Sequence, residues 1–336
     1  MDCVIHIGTE KTGTTSIQRT LDANAKRLLE RGFYWPPVMR SGQNPRIVCY
    51  SLDDETIDLR KRRRQLTTPE TIAEFRIKFE DRLRREIKKA SNANMLLIVN
   101  EHLSRLEKRQ ELERLKQLIE RFADRIRIVV YLRRQDRLMC SMYSQVIKIG
   151  GTRENVFPVR SVETEGDFIT FNYRRIVDLW ADVFGREALN IRTFEPESLV
   201  QGDVVMDFFD VAGLEGLTGI ETTRINESLS VEALLTMREL NRHLPRTARG
   251  HLGPLSGQLF AGSGMPVARD DAHAFLNEFE ADNDYVARQY LGRSRLFKPI
   301  GDAEYPDNVD PETFRLSPQS MAWHFAQLWQ AREREV

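Results

Sequence analysis

The chain has 336 residues, of which 41% are hydrophobic and 30% charged, which suits a soluble globular protein able to bury a full core and excludes a disordered one. Its 50 basic and 50 acidic residues cancel, so bulk charge offers no attraction to nucleic acid and any anion site must be built locally. No apolar run approaches the roughly 18 residues of a membrane span, and the three cysteines and six histidines lack disulfide or zinc-ligand spacing, so a cytoplasmic protein without a metal is expected.

The first apolar run, Cys3-Val-Ile-His-Ile7, begins too early for a signal peptide to precede it, and its length and β-branched content predict a buried strand ending at Gly8. Ile17, Leu21, Ala25, Leu28 and Leu29 then recur at helical spacing until Gly32. A short strand over 32–35 stops at Pro36-Pro37. Residues 38–71 show no period and carry Gly42, Pro45 and the basic run Arg60 to Arg64, as a long loop or loose helical insertion would. Ile72, Phe75, Phe79, Leu83 and Ile87 mark a helix over 69–90, and residues 94–99 form a buried strand ending at Asn100-Glu101-His102. Leu112, Leu115, Ile119 and Phe122 mark another helix; residues 126–132 read as a strand and 136–149 as a helix stopped by Gly150-Gly151.

Further on, 173–184 reads as a helix, 189–194 as a strand and 204–211 as a helix closed near Gly213. The last third shows helical patterns over 231–242, 269–290 and 318–334, interrupted by a Gly/Pro-rich stretch at 245–266. Strands alternating with helices predict an α/β fold of three layers, a mostly parallel sheet with helices on both faces. A single domain is expected, with its core over 1–213 and a helical part over 214–336.

The most informative segment is Gly8-Thr-Glu-Lys-Thr-Gly-Thr-Thr-Ser16, which follows a strand and opens a helix. Backbone N–H groups at a helix N-terminus carry partial positive charge and bind phosphate-like anions, and Gly13 lets the backbone approach without a Cβ in the way. Laid against the nucleotide loop GxxxxGK[ST], Gly8, Gly13 and Thr15 fit, but Thr14 stands where the lysine belongs and the only lysine is Lys11. Lys11 is suited to the outer side of a shorter group such as a 5'-phosphosulfate. A second anchor follows strand 126–132: Arg133 leaves at the strand end, the ligand edge of an open α/β sheet, and Ser141 comes eight residues later on the next helix. A guanidinium and a hydroxyl so placed suit one phosphate.

Together these segments resemble the sulfotransferases that use 3'-phosphoadenosine-5'-phosphosulfate (PAPS), and bacterial members in particular. The likeness spans most of 1–213, including Trp180 to Gly185, Arg192-Thr-Phe-Glu195 and Asp207 to Gly213, and continues more loosely through Asn226 to Ser230 and 283–296. It implies a fold like that of the P-loop nucleoside triphosphatases, without a metal requirement. It assigns the 5'-phosphosulfate to Lys11, Thr12, Gly13, Thr14, Thr15 and Ser16, with Lys11 stabilising charge on the transferring group. It assigns the 3'-phosphate to Arg133 and Ser141. The glycine-rich C-terminal segment that helps hold the nucleotide in the cytosolic animal enzymes has no counterpart here.

The resemblance also implies a glutamate or a histidine as general base. Glu101 is the first choice and His102 the alternative, both at the end of strand 94–99. The expected acceptor is a hydroxyl or amine, on a carbohydrate or glycolipid, met by variable loops at 38–71, 152–171 and 245–266. The basic run Arg60 to Arg64 reads as a solvated face before a glycan-binding one, His6 as a packed residue, Trp35 as core or cleft, and Phe275, Leu276 and Phe279 as core. Two other readings compete. One is a P-loop kinase or nucleoside triphosphatase, for which Asp136 is a candidate but poorly placed Mg²⁺ ligand; the other is an inactive nucleotide-binding protein.

Overall fold

Strand β1 (Asp2–Gly8) is buried along almost its whole length, as a strand covered on both faces must be, and it occupies the centre of a five-stranded sheet. Its neighbours in this computed structural model are β3 (Met95–Val99) on one side and β4 (Arg125–Leu132) on the other; β2 (Phe33–Tyr34) and β5 (Leu189–Thr193) form the edges. All four pairings are parallel, giving the order β2-β3-β1-β4-β5. The structure describes residues 1–40, 45–158, 168–214 and 228–335.

The described helices are α1 (Thr14–Ala23), α2 (Ala25–Glu30), α3 (Arg46–Ser51), α4 (Leu59–Arg63), α5 (Pro69–Lys89), α6 (Arg109–Glu120), α7 (Gln135–Lys148), α8 (Tyr173–Phe184), α9 (Val204–Ala212), α10 (Val231–His243), α11 (Arg246–Leu259), α12 (Arg269–Asn277), α13 (Glu280–Leu291) and α14 (Pro318–Glu335). Right-handed crossovers require α1 on one face of the sheet and α5, α6 and α8 on the other. The contacts agree: α1 meets α9, while α6 meets both α3 and α8. The fold is thus three-layered α/β, with an all-parallel sheet. None of the described helices is long and apolar enough to cross a membrane.

The chain forms two compact units. One contains the sheet and comprises Met1–Arg133, Ile169–Arg224 and Asp282–Leu296; the other comprises Arg134–Phe168, Ile225–Ala281 and Phe297–Val336.

Three local outcomes differ from the sequence reading. The first helix breaks at Asn24, whose side-chain amide turns back to the Thr20 carbonyl at 2.8 Å. The helix expected over 269–290 is two, α12 and α13. The Gly/Pro-rich stretch at 245–266 is largely helix, α11, despite Pro254 within it. A Cβ at Gly253 would lie 2.3 Å from the Lys148 carbonyl oxygen, so this glycine lets α11 lie against the end of α7. Packing outweighs intrinsic preference there.

The insertion after β2 is more firmly held than its missing periodicity implies. Residues 41–44 lie outside the described residues, but from Pro45 onward the segment is pinned by charged groups reaching backbone atoms. Arg76 donates to the carbonyls of Tyr50 and Leu52, at 3.0 and 2.9 Å, and Arg114 to those of Ser51 and Leu52, at 2.6 and 3.0 Å. Lys61, from the middle of the basic run, is fully buried and donates to the Asp53 carbonyl at 2.5 Å. It is therefore no part of a solvated face. The buried Glu111 carboxylate on α6 accepts the backbone N–H groups of Asp53, Glu107 and Lys108 at 2.8, 2.9 and 3.2 Å.

Glu111→Ala leaves three inward-facing N–H groups without their acceptor, and we expect about 2–4 kcal/mol of lost stability in urea unfolding. An unchanged midpoint would show that the carboxylate is not what holds the insertion.

Candidate active site

The segment between β1 and α1 is a loop tied at both ends. Gly8, at φ +110°, ends β1 against the backbone of Glu101: a Cβ there would come within 2.7 Å of the Glu101 carbonyl oxygen. Only glycine allows the two strand ends to meet this closely. Thr9 then anchors the loop to β4 twice, through its backbone N–H (2.9 Å) and its hydroxyl (3.0 Å), both donating to the Tyr131 carbonyl. Lys11 takes a left-handed conformation, φ +61°, which places a non-glycine residue in a sparsely populated region at the tip of the loop. Gly13, at φ +81°, caps α1, and a Cβ on it would sit 2.5 Å from a methyl of Val204.

With Thr9, two of the four hydroxyls that follow it are used in holding this shape. Thr12 donates to the Thr9 carbonyl at 2.7 Å. Thr14 turns inward to His6, with its hydroxyl 3.1 Å from Nε2. Thr15 and Ser16 lie half-buried in the first turn of α1, which carries no acidic residue to compete for an anion.

His6 is more than packing. Its Nδ1 lies 3.3 Å from the Val129 carbonyl, which can only accept, so Nδ1 carries the proton and Nε2 receives the Thr14 hydroxyl. Burial pushes its pKa down to about 4, against the pull of the Val129 carbonyl in the other direction. Beside it, Tyr131 presents its ring edge-on and donates its hydroxyl at 2.8 Å to the fully buried Asp207, which Arg192 of β5 also grips. A neutral imidazole and a paired carboxylate thus form the floor beneath the loop.

Arg133 leaves β4 and donates through Nη1 to the Lys11 carbonyl at 2.8 Å, with its guanidinium over the Phe194 ring at 5.5 Å. Its own carbonyl accepts the Tyr173 hydroxyl. The strand-end arginine and the loop are therefore neighbours. Ser141 lies buried on α7, which belongs to the other unit. Asp136, in the same unit as Ser141, is fully buried and engaged: Arg134 holds both its oxygens at 2.8 Å and the Tyr305 hydroxyl one of them at 2.6 Å.

Glu101 and His102 open a 3-10 turn, Glu101–Arg105, at the carboxyl end of β3. The Asn100 side chain fixes the turn by accepting the His102 N–H at 3.0 Å. His102 Nδ1 lies 2.9 Å from one carboxylate oxygen of Glu10, and Arg105 donates to the other at 2.6 Å. Burial alone would raise the Glu10 carboxyl, but the His102 hydrogen bond and the Arg105 charge outweigh it and hold the pKa down to about 2.

Glu10, Arg105, His6, Tyr131, Asp207 and Arg192 were not singled out from the sequence as site residues. The sheet register offers a signal for the first two. His6 pairs with Val99, so counting on along both strands brings Glu10 level with the turn that holds His102 and Arg105.

No protein-family model matches the chain. It is 25% identical over 179 residues to an uncharacterized protein of Archaeoglobus fulgidus, a match covering 51% of this chain and 47% of that protein. The chain thus spans about half the length of this curated relative. Among solved structures it is similar to a sulfotransferase from Alicyclobacillus acidocaldarius, at 15% identity and a TM-score of 0.43, over 85% of this chain and 95% of that one.

His6 predicts a pH dependence with a definite sign. The unfolded chain protonates this imidazole near 6.5 and the folded chain near 4, so between those values the unfolded state binds more protons and stability falls as pH falls. Between pH 6.5 and 5 the loss is about 1.5 kcal/mol from this residue. Urea titrations across that range should show His6→Gln with a correspondingly shallower dependence. Equal slopes in both proteins would refute a neutral buried imidazole.

Proposed function

We propose that this chain is a sulfotransferase, moving a sulfuryl group from PAPS to a hydroxyl or amine, with a carbohydrate or glycolipid as acceptor. The observation that carries the reading is the loop after β1: Lys11 at its left-handed tip, Thr14 turned inward where a P-loop nucleoside triphosphatase would carry its lysine, and Arg133 hydrogen-bonded to the Lys11 carbonyl. With Thr14 buried against His6, the loop's cation is Lys11 at its tip and not the residue that opens α1, which fits a group one unit beyond a 5'-phosphate better than a β,γ-phosphate pair.

PAPS when bound would supply an activated sulfuryl group and a good leaving group in its phosphate. In this reading Gly13, Thr14 and Thr15 hold the 5'-phosphate through the backbone N–H groups at the start of α1 and Ser16 through its hydroxyl, its own N–H being bonded to the Gly13 carbonyl at 2.9 Å, with Thr12 shaping the loop. Lys11 stabilises negative charge on the transferring group and the leaving oxygen. Arg133, beside the loop, takes the 3'-phosphate, the feature that separates PAPS from ATP. The acceptor's proton goes to His102 or Glu101. His102 is the better candidate, because its ring is held by a carboxylate through one nitrogen and the other nitrogen is thereby left as the acceptor. The competing kinase reading needs a strand-end carboxylate for Mg²⁺, and Asp136 is already committed to Arg134 and Tyr305.

Calorimetric titration without metal should show adenosine 3',5'-bisphosphate binding more tightly than ADP with Mg²⁺. Arg133→Ala should weaken the former by about 10- to 100-fold, as loss of a charge-assisted contact implies. Lys11→Ala should abolish PAPS-dependent transfer while leaving bisphosphate binding largely in place. Preference for Mg·ADP would sink the sulfotransferase reading in favour of the kinase one.

A further inference from the structure

We infer that Glu10 is a positioning residue, holding His102 in the tautomer protonated at Nδ1 so that Nε2 is the proton acceptor of the site. The role in sulfuryl transfer rests on the function proposed above; the tautomer does not. The argument begins with what each atom is able to do. The Glu10 oxygen 2.9 Å from Nδ1 belongs to a carboxylate that Arg105 grips through its other oxygen, so it accepts and does not donate. Nδ1 must therefore carry the proton, and a neutral imidazole then has its lone pair at Nε2. Burial favours this pairing and Arg105 keeps the carboxylate ionised: the Glu10 side chain is 15% exposed and that of His102 28%.

The backbone keeps the pair in place from both sides. Glu10 stands in the loop that Thr9 ties to β4, and His102 in the turn that Asn100 fixes to the end of β3. Gly8 presses on the Glu101 backbone, bringing loop and turn together. Glu10 is also the immediate neighbour of Lys11, so one short loop would serve the donor through one residue and the base through the other.

In the transfer step the Nε2 lone pair takes the proton from the acceptor hydroxyl. The freed oxygen pair forms the new O–S bond, and the old S–O bond breaks with its electrons going to the 5'-phosphate of the donor. The imidazolium formed is stabilised by Glu10 and returns its proton to water after product leaves. Arg105 keeps Glu10 ionised, so the carboxylate orients the imidazole without itself taking the proton.

The test reads the tautomer directly. Nitrogen-15 NMR of histidine-labelled protein at pH 8, with His102→Asn assigning the signal, should show the wild-type ring as Nδ1–H. Glu10→Gln, whose amide can donate as well as accept, should lose that preference. In the same variant kcat should fall by about 10- to 100-fold, a part of what a general base contributes, with KM for PAPS and the affinity for adenosine 3',5'-bisphosphate little changed. A wild-type ring protonated at Nε2 would overturn the inference. So would a Glu10→Gln protein whose tautomer is unmoved and whose nucleotide affinity drops in step with kcat, the mark of a residue that merely shapes the loop. If the tautomer behaves as expected but wild-type protein transfers no sulfuryl group, the proposed function fails while the Glu10–His102 pairing stands.

Discussion

Everything at the candidate site depends on β1 being paired in parallel on both sides. Because β3 and β4 run the same way as β1, all three strands deliver their carboxyl ends to one edge of the sheet. That edge collects the loop from β1, the Glu101–Arg105 turn from β3 and Arg133 from β4, three segments with no proximity in the chain. The cross-links between them are short and polar: Thr9 to Tyr131, Glu10 to His102 and Arg105, Arg133 to Lys11. Each would be weak alone in water, but a parallel sheet removes the entropy of bringing their backbones together before any of them forms.

Beneath the loop the protein places polar groups where a core would ordinarily be apolar. His6 sits fully buried between the Val129 carbonyl and Thr14, and Asp207 fully buried between Tyr131 and Arg192. Buried polar groups are tolerable only when satisfied, and here satisfaction gives orientation: Thr14 is turned inward, and the start of α1 is held against β1. The His6 ring acts as a strut whose strength depends on staying neutral, which links the shape of the loop to pH.

The same economy governs the insertion after β2. It buries apolar side chains, among them Ile47, Val48, Cys49, Tyr50, Leu52 and Leu66, in no regular order, while cations from α4, α5 and α6 cap its carbonyls and Glu111 its N–H groups. A segment with no hydrophobic period can thus be well defined when neighbouring helices supply the hydrogen bonds that secondary structure would otherwise make.

By itself the sequence determined what depends on local period and local chemistry. Apolar runs of five to eight residues separated by amphipathic stretches specified the strands and the sheet type, Tyr173–Phe184 among the helices, and the glycines that shape the loop. It also picked out Lys11, the hydroxyls after it, Arg133 and the Glu101-His102 pair, because residue types at strand ends are legible one segment at a time. Only tertiary structure decided which of these meet. That Glu10 faces His102 and Arg105, that Thr14 turns inward to His6, that Lys61 is buried within a run of charges, and that a Gly/Pro-rich stretch is a helix all follow from packing between segments distant in sequence. Such contacts leave no periodicity behind, since a hydrogen bond between two strand ends constrains one residue on each and nothing between them.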